Sequence, residues 1–117
     1  MLKVDYSPQA LEDLKLLQEY IEVDQGESVA KKILTKITSD IRRLEMFPSS
    51  GVDLGKVIDI PTDYRYLFSA KNYVFYRLEP ERVLIIRVLN EKRDFMQHLF
   101  GISSNLDEEY NDDLNNK

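Results

Sequence analysis

The 117-residue chain carries 16 Lys and Arg against 21 Asp and Glu, a formal net charge of −5, and no cysteine. That length suits one domain with a core of its own, and the missing thiols exclude disulfides, zinc–thiolate sites and thiol catalysis. The charge is uneven: residues 102–117 hold Asp107, Glu108, Glu109, Asp112 and Asp113 against Lys117 alone, while residues 43–101 hold nine cations and eight anions, short of the clear cation excess of a nucleic-acid binder.

In chain order, residues 2–6 alternate polar and apolar side chains, which predicts a first strand. The N-terminus lacks the apolar core of a signal peptide. No apolar run approaches the roughly 20 residues that span a bilayer. These features predict a soluble, cytoplasmic protein with no membrane partner. Ser7-Pro8 is a helix start, with a capping oxygen followed by a proline whose missing N–H is not needed there. Ala10, Leu11, Leu14, Leu17 and Ile21 then form the apolar stripe of a helix of about four turns. Asp24-Gln25-Gly26 breaks it. A second helix is predicted from Ser28 to Phe47, with Ala30, Ile33, Leu34, Ile37, Ile41 and Leu44 on one face, and Pro48 and Gly51 end it.

Residues 48–63 are irregular, punctuated by Gly51, Gly55 and Pro61. Strands are predicted at 64–69, 72–78 and 82–89, with a hairpin corner at Glu79-Pro80-Glu81. Val83–Leu89 is almost continuously apolar, as befits a central strand covered on both faces. A short C-terminal helix or turn at 93–100 returns Phe95, Leu99 and Phe100 to the core. The order β-α-α-β-β-β predicts an α+β fold. Its antiparallel sheet carries the helical hairpin on one face, and the first strand joins at long range along an edge.

Several of these segments together resemble the RelE/ParE family of bacterial toxins from type II toxin–antitoxin modules. The resemblance covers about residues 2 to 101, leaving 102–117 as an acidic C-terminal tail. It is carried by Tyr64-Arg65, Tyr73-Val74-Phe75-Tyr76-Arg77, Ile85-Ile86-Arg87-Val88-Leu89, and Asp94 followed by His98-Leu99. It implies the same fold, a cognate antitoxin as partner and no cofactor; a homodimer is compatible with it. The ending Val88–Leu99, with an Asp and a His-Leu pair after the last strand, is more similar to the ParE branch, which poisons DNA gyrase and has no recognised active site. The expectation is therefore a plasmid-stabilisation toxin that binds a protein target. The alternatives are a RelE-like, metal-independent endoribonuclease acting on messenger RNA at the ribosome, and a non-toxic partner-binding derivative.

The candidate residues follow from this choice. Arg65, Arg77 and Arg87 sit inside strands, and Lys92 and Arg93 follow the last one; together they are the expected target- or antitoxin-binding cations. In the nuclease alternative, Arg65 and Arg93 act on the scissile phosphate. Transesterification also needs a base and an acid. Here the family's histidine position reads Asn90, and its Tyr-Arg pair reads Tyr73-Val74. The structural alternatives are specific too. Arg65 can lie over Tyr66 or pair with Asp63, and Arg87 can pair with Glu79, Glu81 or Asp94. Arg77 shares a strand face with Tyr73 and Phe75. His98, the one histidine, reads as structural, and no ligand-spaced cluster suggests a metal. In the tail, Ser104 can cap a helix bearing Leu106, Tyr110 and Leu114, against the simpler reading of a solubilising terminus.

Overall fold

The computed structural model describes residues 2–102, so the tail's expected helix at Leu106, Tyr110 and Leu114 lies outside the described residues. Strand β1 (Lys3–Tyr6) leads into helix α1 (Pro8–Gln25) and helix α2 (Glu27–Arg42). Next come the two-residue β2 (Val52–Asp53), then β3 (Arg65–Ser69), β4 (Asn72–Glu79), β5 (Arg82–Asn90) and helix α3 (Phe95–Phe100). The sheet order is β1-β5-β4-β3-β2. Among the described residues no helix is long and apolar enough to cross a membrane.

Ser7 caps α1 as its sequence context suggests: its hydroxyl oxygen accepts from the Ala10 amide at 2.9 Å. The same hydroxyl donates to the Ile86 carbonyl at 2.8 Å, which fastens the start of α1 to β5. Gly26, at φ 98°, is the single residue between the two helices. Such a backbone is open to glycine and strained for most other residues. Helix α2 tightens into a 3₁₀ turn at Arg43–Glu45 rather than running on to Phe47.

The first strand takes the expected edge position, but it runs parallel to β5, pairing Val4 with Val83 and Tyr6 with Ile85. The sheet is therefore mixed, antiparallel from β5 to β2 and parallel at its first edge. Two helices of near-equal length return the chain to the end where it started, and that return makes the first and last strands codirectional.

The sheet buries apolar residues on both faces. Towards the helices, Ala10, Ile37, Ile41 and Leu44 pack on Val74, Tyr76, Val83, Ile85 and Val88. On the other face, Phe75, Leu89 and Leu54 are covered by Tyr64, Tyr73, Phe95, Leu99 and Phe100. Leu11 is 55% exposed, so the buried stripe of α1 is Ala10, Leu14, Leu17 and Ile21 without it.

Strand β5 carries an irregularity hidden in its apolar run. Arg87 pairs with Phe75 but Ile85 pairs with Tyr76, leaving Ile86 as an extra residue, a β-bulge. Alternation resets there, and Arg87 meets Asp13 of α1. At the β3–β4 corner Ala70 and Lys71 both have positive φ, 49° and 67°, the backbone of a type I′ turn that favours Asn-Gly. Lys71→Gly is expected to raise stability by about 0.5–1 kcal/mol by relieving this strain, seen as a higher urea midpoint at unchanged slope.

Candidate binding surface

The strand register sorts the five expected cations into two groups. Arg65 lies opposite Tyr76, beside Arg77, at the middle of β4. Arg87 lies opposite Phe75, while Lys92 and Arg93 follow Asn90, which pairs with Asn72 at the other end of β4. Tyr76 and Asn72 are four residues apart, about 13 Å of strand.

In the first group, Arg65 is partly buried and donates from Nη2 to the carbonyls of Ser49 and Gly51, each at 3.1 Å. It thereby holds the irregular segment, rather than pairing with Asp63. That acid instead meets Arg77 at 3.4 Å, and the Arg77 guanidinium lies 5.9 Å from the centroid of the Tyr64 ring. The aromatic–cationic face expected around Arg77 is thus completed by Tyr64, which stacks in turn on Phe100. Tyr76 joins this group through its hydroxyl, which donates to the Pro48 carbonyl and accepts from the Gly51 amide, both at 2.9 Å. Burial pushes its phenol above the usual range.

Arg87 takes a partner that its sequence neighbours did not suggest. Its guanidinium grips Asp13 of α1 in a two-pronged contact, Nε to Oδ2 at 2.8 Å and Nη2 to Oδ1 at 2.9 Å. Asp13 Oδ2 also accepts the Val88 amide at 2.9 Å. Strand β1 ends opposite Ile85, so this carboxylate stands in for the missing strand neighbour of β5. The side chains of Arg87 and Asp13 are only 17% and 10% exposed.

Lys92 and Arg93 are exposed. Arg93 Nη2 lies 3.0 Å from His98 Nε2. A guanidinium only donates, so the imidazole nitrogen accepts and the proton sits on Nδ1. Burial lowers the His98 pKa below its ordinary 6.5, and the charges of Arg93 and Arg87 lower it further. Folding therefore favours neutral His98, and the unfolded chain binds the extra proton. The stability this contributes is complete above pH 6.5 and is lost as the pH falls through the lower folded value. Melting curves between pH 8 and 5 should show this loss, and His98→Gln should flatten it.

A further feature had no sequence signal beyond two ordinary apolar residues. Phe47 and Phe68 stand 60% and 51% exposed. With Leu67, Ser50, Lys36, Arg43 and Asp40 they line a depression of about 400 Å³. Strand β2 pairs only with Arg65 and Tyr66, so among the described residues Leu67–Ser69 has no strand neighbour on that side. Burial alone would raise the pKa of Asp40, but hydrogen bonds from Ser69 and Lys36 and the Arg43 charge bring it below the ordinary value. The rim therefore keeps two cations around one firmly held carboxylate.

Comparisons with known proteins bear on the family and the fold. Residues 4–95 match the family model described as the ParE toxin of the type II toxin–antitoxin system parDE. The fold is similar to a chain of the chromosomal ParDE system from P. aeruginosa, at 18% identity and a TM-score of 0.66, covering 77% of this chain and 96% of that one. Chains of the E. coli DinJ–YafQ complex (17% identity, TM-score 0.49, covering 86% of this chain and 98% of that one) and of the Staphylococcus aureus YoeB–YefM complex (19%, 0.48, 76% and 95%) are also similar. No curated protein sequence matches the chain.

Proposed function

The chain belongs to the family of ParE toxins of type II toxin–antitoxin systems, and from that premise we propose that it acts by binding a protein target, DNA gyrase, rather than by cutting RNA. The observation that carries this reading is the separation of Arg65 and Arg93. A nuclease needs its cations around one phosphorane, yet Arg65 pairs at the middle of β4 and holds the Ser49 and Gly51 carbonyls, while Arg93 follows the strand pair that ends at Asn72 and meets His98. Arg65, Arg77 and Arg87 are engaged with neighbouring groups and shape the surface. Lys92 and Arg93 reach solvent and are the proposed target contacts.

A cognate antitoxin is the second proposed partner. Among the described residues, the flank of β3 beyond Tyr66 has no strand partner, and it lies beside the apolar depression of Phe47, Leu67 and Phe68, with Lys36 and Arg43 on its rim. An extended acidic segment with one large apolar side chain fits such an edge by strand addition. The test is pulse labelling after induced expression in the cytoplasm of a bacterial host. Thymidine incorporation is expected to fall before methionine incorporation. An immediate fall in methionine incorporation with messenger cleavage at the ribosome would overturn the reading in favour of the endonuclease.

A further inference from the structure

Two large side chains of the depression at the β3 flank have little cover. Phe47 and Phe68 are 60% and 51% exposed, although Phe68 leans on Tyr73 with ring centroids 5.2 Å apart. Leu67, Lys36, Asp40 and Arg43 also line the depression. Asp40 answers both cations, Lys36 at 3.1 Å and Arg43 at 3.7 Å, so the lining keeps one net positive charge and is no cationic patch. Backbone is open here too. The Tyr66 carbonyl faces the segment at Gly51, and peptide groups two residues apart point to the same side of a strand. Those of Phe68 therefore face the flank where, among the described residues, no strand lies.

We propose that the acidic tail of this same chain, residues 103–117, docks in this depression with Tyr110 seated against Phe47 and Phe68. Reach permits it. Phe100 stacks on Tyr64 at 5.9 Å, and Phe68 lies four residues beyond Tyr64, about 13 Å along β3. The chain thus leaves α3 roughly 20 Å from Phe68. Residues Ser103 to Tyr110 span up to about 27 Å when extended. Charge then selects among the exposed apolar groups. The tail holds five Asp and Glu against Lys117 alone. Leu16 and Tyr20 are exposed as well, but they stand on α1, which holds five acids against Lys15 alone and repels the tail. Tethering supplies the affinity, since a short linker gives an effective concentration on the order of millimolar. A free polyanion lacks both that concentration and the aromatic anchor, for which paired rings offer a favourable contact. The same flank is the seat proposed for the antitoxin, which makes the tail its competitor. That consequence rests on the antitoxin reading; the contact itself does not.

The test uses the full chain without any partner. The sequence has no cysteine, so Asn111→Cys gives one site for a nitroxide label beside Tyr110. Paramagnetic broadening is then read on the backbone amides of the isotope-labelled chain at low ionic strength, where screening is weak. The amides of Phe47, Leu67 and Phe68 are expected to lose more than half their intensity, and those of Leu16 and Tyr20 to lose little. Adding Tyr110→Ser should restore most of the lost intensity, and so should Phe68→Ser. Should Phe68→Ser disturb the spectrum beyond its neighbours, Phe47→Ser replaces it, with the same recovery expected. Broadening spread evenly over α1 and β3, or unchanged by Tyr110→Ser, would overturn the proposal. So would broadening that passes to chains without a nitroxide in a mixed sample, because a second copy would then supply the tail.

Discussion

Asp13→Ala lowers the stability of the folded chain by on the order of 3 kcal/mol, which for a domain of this size is about 10–20 °C in melting temperature. The expectation rests on what the substitution leaves behind. Arg87 is mostly covered, and it would keep its charge without its carboxylate, while the Val88 amide would lose its acceptor at a strand edge. Removing one partner of such a pair costs far more than the pair contributes over an apolar replacement. Asp13→Ala combined with Arg87→Met should therefore recover much of the loss. A single variant that melts within about 2 °C of the parent would show that the fork does not hold α1 to β5.

Gly51→Ala is expected to be at least as damaging. A Cβ at this position would meet the Tyr76 hydroxyl and would lie 2.7 Å from the Tyr66 carbonyl oxygen. Neither can yield readily. The hydroxyl is fixed between Pro48 and Gly51, and the carbonyl belongs to β3 beside its pairing with Val52. Arg65 is tied to the same glycine through its carbonyl, so displacing residue 51 unseats the arginine as well. The variant should be insoluble or melt several degrees below Tyr76→Phe, which loses only the hydroxyl's bonds at about 1–3 kcal/mol. Gly55→Ala is the control, because its nearest new neighbour is the Thr62 carbonyl at 3.1 Å. If Gly51→Ala melts like Gly55→Ala, the close approach at Tyr76 does not constrain the segment.

The contrast between these two sites and the rest of the fold explains what the sequence could show. Helices α1 and α2 were legible because their periodic stripes and the Ser7-Pro8 start are local signals. Strands β3 to β5 were legible because tight turns join β-rich segments. Asp13 was not. It sits between Glu12 and Leu14 on an acidic helix and looks like another solvated acid, and its partners are 74 and 75 residues away. The bulge at Ile86 was hidden for a related reason, since a strand buried on both faces shows no alternation whose interruption could be seen. The parallel pairing of β1 depends on the path of the helical hairpin, and β2 is too short to leave a pattern. For the binding surface, residue types were readable but their grouping was not: five arginines and lysines gave no hint that the strand register sets Arg65, Arg77 and Arg87 around the middle of β4 and carries Lys92 and Arg93 past its Asn72 end.

Binding rather than cleavage is the central claim, and purified gyrase tests it most directly. Supercoiling of relaxed plasmid should be inhibited by the chain, with cleaved DNA accumulating on the enzyme, and Lys92→Glu with Arg93→Glu should relieve the inhibition while the melting temperature stays nearly unchanged. Unaffected supercoiling, together with cutting of messenger RNA on translating ribosomes by the same preparation, would contradict the account.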